Sequence, residues 1–353
     1  MKEHSIYMNR CLELAKLGAG NVAPNPMVGA VLVYHDRIIG EGYHRQYGGP
    51  HAEVNCIASV AEADRPLIAS STLYVSLEPC AHYGKTPPCA DLIVQQRIPE
   101  VVIGCRDIFA RVNGLGIRKL EEAGIQVITG VLEKECVELN KRFFCFHQRK
   151  RPFILLKWAQ TADGFIAAEN FKAIKISNEI TNRLVHKMRT EEAAIMVGFN
   201  TALHDNPSLT ARSWPGKSPV RIVTDKILSL PAGAAVFNND APVIVVNQLK
   251  EGQEGNIHYL QIVAGEEMLP VLMEKLYQRN IQSLLVEGGA QLLQSFFRGG
   301  LWDEAVRITN TGMQLGKGIP APEITADAIL TGERHMGTDT IQFFKNQGNS
   351  GLL

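Results

Sequence analysis

Long apolar runs are missing from this chain. No stretch is long enough and apolar enough to cross a bilayer as a helix, so no membrane partner is expected. An excess of one charge is missing too. Lys+Arg and Asp+Glu each number 36, whereas a chain built to hold nucleic acid or an anionic surface carries a basic surplus. No nucleic-acid partner is therefore expected. The first residues, Met1-Lys2-Glu3-His4-Ser5, lack the apolar centre of a signal peptide. The cysteines number 7, are scattered, and do not suggest a disulfide framework. The expected compartment is the reducing cytoplasm, where neighbouring thiols serve as metal ligands more readily than as disulfides. A Gly-x-Gly-x-x-Gly after a strand is also absent, which removes support for a Rossmann dinucleotide site.

What is present suits a globular protein of two domains: 353 residues, 45% hydrophobic and 20% charged. In the first half, helical spacing over Ser5 to Leu17 is followed by strand patterns at Met27 to Tyr34 and Arg37 to Tyr43, a helix from His51 to about Ala63, and a strand at Leu73 to Leu77. Further strands are expected at Val101 to Gly104 and Gln126 to Thr129, with helices at Gly116 to Ala123 and Glu133 to Phe146. The basic run His147-Gln148-Arg149-Lys150-Arg151-Pro152 reads as a solvated linker, which divides the chain into residues 1–147 and 148–353. A second alternating pattern follows, with strands from Phe153, Ala194, Val220, Val243, Ser283 and Glu304 and helices from Asn178, Glu266 and Ala290. Both halves read as α/β layers.

The strongest chemical signal lies in Pro50-His51-Ala52-Glu53, Glu78-Pro79-Cys80 and Thr86-Pro87-Pro88-Cys89. One imidazole and two thiols make a three-ligand zinc set, His51, Cys80 and Cys89, which leaves a tetrahedral position open for an activated water. Glu53 need not be a ligand and is placed to move that water's proton, the arrangement of zinc-dependent nucleobase deaminases. A helix opening at Cys89 favours a thiolate. Two blander arrangements compete: a structural zinc site completed by a fourth ligand such as Cys56, and a set of core cysteines beside a satisfied histidine. Two other functions stand as alternatives: a nucleic-acid base deaminase fused to an unrelated domain, and a zinc-stabilised binding module without catalysis.

Eight residues separate Cys80 from Cys89, where many nucleobase deaminases have two. The string Glu78-Pro79-Cys80-Ala81-His82-Tyr83-Gly84-Lys85-Thr86-Pro87-Pro88-Cys89 closely resembles the bifunctional riboflavin-biosynthesis deaminase/reductase family. Ala23-Pro24-Asn25-Pro26-Met27-Val28-Gly29 and Gly49-Pro50-His51-Ala52-Glu53-Val54 share the resemblance. So do Asp163-Gly164, Asp205-Asn206-Pro207-Ser208-Leu209-Thr210 and Val286-Glu287-Gly288-Gly289, which extends it over almost the whole chain.

The resemblance implies a cytidine-deaminase-like three-layer α/β/α domain followed by a dihydrofolate-reductase-like α/β domain. It implies one Zn2+ per chain and NADPH. The substrate would be a phosphorylated pyrimidine, 2,5-diamino-6-ribosylamino-4(3H)-pyrimidinone 5′-phosphate. It would be deaminated first, and its ribosyl ring would then be reduced to a ribityl chain. By matched position, Asn25, His82 and Lys85 contact substrate in the first domain. Ala159, Lys175, Thr201, Asp205, Gly289, Ala290, Gln291, Leu292, Leu293, Gln294 and Ser295 line the cofactor. Ala173, Arg189, Leu209, Arg212 and Glu287 hold the second substrate. Independently of the resemblance, the strand–Gly288-Gly289–helix unit fits a plain tight turn at least as well as a phosphate site at a helix N-terminus.

The chain departs from the family pattern at Lys175 (usually tryptophan), Ala173 (serine), Lys226 (serine) and Asp107-Ile108-Phe109-Ala110 (Asp-Pro-Asn-Pro). Lys175 and Lys226 are candidates for the extra phosphate of NADPH. A homodimer through the second domain is expected from related folds.

Overall fold

Strands with apolar side chains on both faces need cover on both sides. In the computed structural model, which describes residues 2–83, 87–108, 114–169 and 174–352, the first half meets that need with helices. Its strands are β1 (Gly29–Tyr34), β2 (Arg37–Tyr43), β3 (Thr72–Leu77), β4 (Glu100–Cys105) and β5 (Gln126–Thr129). They lie in the order β2-β1-β3-β4-β5, with β1 antiparallel to both neighbours and β3, β4 and β5 parallel.

Successive side chains point to opposite faces. Ala30, Leu32, Leu73, Val75, Val101 and Ile103 enter one apolar layer; Val31, Val33, Tyr74 and Val102 enter the other. The first layer is closed by α2 (Ala52–Ala58), α3 (Cys89–Gln95) and α4 (Leu115–Glu122). The second is closed by α1 (Lys2–Lys16), α5 (Glu133–Leu139) and α6 (Lys141–Arg149). The outcome is the three-layer α/β/α arrangement expected.

Two helices differ from the sequence pattern for identifiable reasons. The helix from His51 stops at Ala58 because the Ser59 hydroxyl donates to the Cys56 carbonyl (2.7 Å) and accepts from the Glu41 amide (2.8 Å). The expected single helix Glu133 to Phe146 is two helices, because Asn140 leaves the helical path to bond the backbone of Met27. The basic run is not a solvated linker throughout. Arg149 ends α6, and Arg151 is buried in a bidentate pair with Asp303 at 2.6 and 2.9 Å.

The chain divides into two units, Met1–Arg149 and Lys150–Leu352. The second is organised on the strands β6 (Phe153–Thr161), β7 (Phe165–Ala167), β8 (Ala194–Val197), β9 (Val220–Thr224), β10 (Val243–Asn247), β11 (Gly252–Glu254), β12 (Ile257–Gln261), β13 (Ser283–Glu287), β14 (Glu304–Asn310), β15 (Ile319–Pro320), β16 (Ala328–Met336) and β17 (Asp339–Asn346). Ten of these form one sheet in the order β11-β12-β10-β9-β8-β13-β6-β14-β17-β16. Its centre, from β12 to β14, is parallel, and antiparallel strands close both edges. The helices are α7 (Glu179–Glu191), α8 (Phe199–Asp205), α9 (Met268–Gln278) and α10 (Ala290–Arg298). Leu272, Met273, Leu276, Leu293, Phe296 and Phe297 from α9 and α10 pack with Ile154, Leu156, Leu284 and Val286 of the central strands.

Candidate active sites

In the first unit, three short segments converge. His51 stands just before α2 in extended conformation (φ −73°, ψ 169°), so it and Glu53 escape the divergent directions that i and i+2 take inside a helix. Cys80 follows β3, and Cys89 is the first residue of α3 behind Pro88. The His51 Nδ1 atom lies 3.5 Å from Cys80 Sγ and 3.3 Å from Cys89 Sγ, and the three donor atoms are all within 4.8 Å of one another. A tetrahedral zinc with bonds of ~2.1 Å to nitrogen and ~2.3 Å to sulfur separates those atoms by ~3.6 Å, so the donor set fits the metal. Among the described residues no fourth His, Cys, Asp or Glu joins the cluster. Cys56 is buried in the apolar layer instead, so it does not complete a structural site.

The thiols are electrostatically unequal. Hydrogen bonding from Cys89, stronger than the opposing effect of burial, together with His51 and the Cys89 amide (3.3 Å), brings Cys80 down to about 4. Cys89, bonded to that thiolate and buried, is pushed well up. A divalent cation reverses the second effect, because metal ligands bind deprotonated. Glu53 is 3% exposed, and burial followed by the Cys80 charge raises its carboxyl to about 6. Such a group exchanges a proton near neutral pH.

Beside this set, the His44 Nδ1 atom is 3.0 Å from the Pro50 carbonyl, which can only accept. Nδ1 therefore carries the hydrogen, and Nε2 of the neutral ring accepts from the Asn25 side-chain nitrogen at 3.1 Å. Burial, opposed by the Pro50 bond, lowers the His44 pKa and keeps that ring neutral. The His44 and His51 rings meet edge-on at 5.4 Å, which brings Asn25 to the metal set. Asn140 fixes the same loop through two 2.8 Å bonds to the Met27 amide and carbonyl. His82 Nδ1 is buried with no hydrogen-bond partner among the described residues. Lys85 lies outside the described residues, as do Ala173, Phe109 and Ala110. Neither His44 nor Asn140 carries a motif. Only the residues that contact them, 19 and 113 positions away, give them a role.

In the second unit a cleft of about 540 Å³ opens at the carboxyl ends of β6, β8 and β13, where ligands of parallel sheets bind. Ala159, Lys175, Thr201, Asp205, Gly289, Ala290 and Gln291 line it, as do Arg189, Leu209 and Glu287. The rest of the expected cofactor run turns away. Leu292 and Leu293 are buried in the core, Gln294 bonds the backbone of Glu323, and the Ser295 hydroxyl donates to the Gln291 carbonyl at 2.8 Å. The period of α10 is the reason, since only its first turn faces the cleft. Arg212 is exposed and donates to Ser208 Oγ at 2.7 Å rather than lining the cleft. Lys226 is exposed and outside it as well. Gly288 (φ +111°) and Gly289 (φ +67°) take the chain from β13 into α10 under Thr201, where a Cβ would sit 3.1–3.2 Å from that side chain. This turn presents a helix N-terminus to the cleft, which suits a cofactor phosphate.

Lys157 and His204 also line the cleft and have no sequence signature. Arg189 grips Glu287 in a fork of 2.9 and 2.8 Å and reaches the Thr210 carbonyl at 3.1 Å, while Lys157 stands 3.7 Å from Glu287. Burial alone would raise Glu287, but the charges of Arg189 and Lys157 outweigh it and hold the carboxyl at about 2. Burial lowers Lys157, and Glu287 partly restores it.

Comparison with known proteins separates the halves in the same way. Residues 1–105 match the cytidine and deoxycytidylate deaminase zinc-binding region, and residues 152–336 match the RibD C-terminal domain. The riboflavin biosynthesis protein RibD of Aquifex aeolicus is 39% identical over 96% of this chain and 97% of its own. A Thermotoga maritima diaminohydroxyphosphoribosylaminopyrimidine deaminase/5-amino-6-(5-phosphoribosylamino)uracil reductase superposes with a TM-score of 0.89 at 36% identity, covering 98% of this chain and 99% of its own. Acinetobacter baumannii RibD superposes at 0.87 with 30% identity, covering 98% and 99%. Each half thus carries its own chemistry, a zinc-dependent deaminase unit followed by an NADPH-dependent reductase unit. The chain belongs to the RibD family of riboflavin-biosynthesis proteins. It is a deaminase and reductase of that pathway.

Proposed function

We propose that residues 1–147 deaminate 2,5-diamino-6-ribosylamino-4(3H)-pyrimidinone 5′-phosphate and that residues 148–353 reduce the ribosyl group of the product. The observation that carries the reading is the His51, Cys80, Cys89 donor set with Glu53 buried beside it. Bound zinc supplies Lewis acidity that brings a water's pKa near neutrality. Glu53, buried beside the three ligands with its carboxyl raised to about 6, would hold the proton that replacing the exocyclic amine by oxygen has to move. Asn25, its amide oriented by His44, presents its oxygen to the pyrimidine's donors. His82 and Lys85 take the sugar phosphate.

In the second unit NADPH supplies a hydride, and the protein positions it. Ala159, Thr201, Asp205 and the turn Gly289-Ala290-Gln291 hold the cofactor, and Lys175 at the cleft's rim takes its extra phosphate. Leu209 packs against the substrate base. Glu287 is held in place by Arg189. Lys157 is the proton-bearing group beside it in the cleft.

The balanced charge supports a small-molecule substrate over nucleic acid. None of the cysteines is joined in a disulfide, which supports a reducing cytoplasm. Among the described residues no helix is long and apolar enough to cross a membrane. A homodimer through the second unit is supported by the edge strand β16, which exposes Ile329 (45%) and Leu330 (50%).

The test supplies the diaminopyrimidinone phosphate, zinc and NADPH and follows ammonia release and NADPH oxidation separately. Both signals are expected. Ammonia release without zinc dependence contradicts the zinc assignment, and NADPH oxidation on the substrate before deamination contradicts the order of steps.

A further inference from the structure

Glu78 is a buried carboxylate (4% exposed) that neither the metal set nor the proton transfer uses. It receives four backbone amides. Asp107 and Gly114 donate to Oε2 at 3.2 and 3.1 Å, and Gly116 and Ile117 donate to Oε1 at 3.0 and 3.3 Å. The last two belong to the first turn of α4, whose amides have no partner within the helix and whose dipole favours an anion. Two bonds on each oxygen fill the acceptor capacity of a carboxylate.

The two residues that follow are held just as closely, Pro79 by α4 again and Cys80 by α3. The Pro79 carbonyl packs against Gly116 so tightly that a Cβ there would lie 2.0 Å from its oxygen. The Cys80 carbonyl accepts from the Ala90 amide at 3.1 Å, and the Glu78 amide donates to the Cys105 carbonyl at 3.0 Å. Glu78, Pro79 and Cys80 are thus tied to β4, α4 and α3 in turn, and the carboxylate of Glu78 carries the attachment to α4.

We propose that Glu78 is a positioning residue of the deaminase: its carboxylate fixes the Glu78-Pro79-Cys80 backbone on α4 and so sets where Cys80 Sγ stands relative to His51 and Cys89. This rests on the zinc assignment above. A glutamine at this position keeps the volume but has one acceptor oxygen, and its amide group would face donors. The strand end then shifts away from α4, and the sulfur shifts with it.

The experiment uses the full chain with cobalt(II) and zinc as probes. In Glu78→Gln, zinc affinity measured by chelator competition is expected to fall at least tenfold. The d–d absorption of the cobalt-loaded protein is expected to change position or intensity. Deaminase kcat is expected to fall while NADPH-dependent reduction of the deaminated product, supplied directly, stays within twofold. Glu78→Asp keeps the charge but is one methylene short of reaching both amide pairs, so it is expected to fall between wild type and Glu78→Gln. It carries the test if Glu78→Gln does not fold.

A loss of melting temperature with unchanged zinc affinity and an unchanged cobalt spectrum would overturn the proposal, since Glu78 would then only stabilise the fold. His51→Ala separates this from failure of the zinc assignment. If wild type binds no zinc, or His51→Ala binds it equally well, the ligand set is wrong; if wild type and His51→Ala differ and the Glu78 variants match wild type, only the positioning role is wrong.

Discussion

The two units solve the problem of holding charge inside a protein in different ways. The first gathers three metal donors from segments within 39 residues of chain, and a cation will compensate two thiolates. The second uses protein charges alone: Glu287 from β13, Arg189 from α7 and Lys157 from β6, which are up to 130 positions apart. A metal site needs particular residue types at particular spacings, because bond lengths and angles are demanding. A charge network needs only complementary signs at the ends of strands, and many sequences meet that requirement. The first kind of site leaves a motif; the second leaves almost none.

The largest effect that separates the units is expected from Glu53→Gln. Deamination should fall by about 10³-fold, the scale of general acid–base catalysis. Zinc content, and NADPH-dependent reduction of the deaminated product supplied directly, should be unchanged. Parallel loss in both activities would mean that the units do not act independently.

The converse change is Glu287→Ala, which leaves the largely covered charges of Arg189 and Lys157 uncompensated. Removing one partner of a buried pair costs about 3–5 kcal/mol, so reduction should collapse and the second unit should melt earlier while ammonia release persists. The three tryptophans, Trp158, Trp214 and Trp302, all lie in the second unit, so their fluorescence reports that loss selectively.

The pH dependence sharpens the same contrast. A carboxyl held at about 2 in the folded state, against 4.5 ordinarily, stabilises the fold fully above its unfolded pKa. That contribution, ~3 kcal/mol, drains away as pH falls from about 4.5 towards about 2. Tryptophan-detected acid unfolding of Glu287→Gln should therefore be less steep over this window than that of wild type. An identical profile would show that the pair does not set acid stability.

The smallest effect concerns cofactor choice. Lys175→Ala should weaken NADPH relative to NADH by about tenfold, the value of a charged hydrogen bond to phosphate. Lys226→Ala should leave the preference unchanged, because Lys226 is exposed and outside the cleft.

The same contrast explains how much could be read from the chain. His51, Glu53, Cys80 and Cys89 are legible because the chemistry constrains their spacing. His44, Asn140 and Glu78 are not, since each acts on backbone or side chains that only the fold brings near. Lys157 sits in a strand among buried residues and reads as an interruption until Glu287 is seen beside it. Strand patterning located β6, β8, β9, β10, β13 and β14 of the parallel centre but missed β12 and the antiparallel strands β11, β16 and β17; in β16 six of nine residues are exposed and no two-residue period exists. The helix from Ala290 was placed correctly, yet its turn-by-turn facing, with Leu292 and Leu293 inward, divides it between cleft and core.

The most direct measurement is X-ray absorption at the zinc edge on the full chain, wild type and Glu53→Gln. Two sulfur neighbours at ~2.3 Å and two nitrogen or oxygen neighbours at ~2.0 Å are expected, the same in both proteins. A third sulfur, or a zinc shell that changes when Glu53 loses its charge, would contradict a three-residue site with an unligated carboxyl.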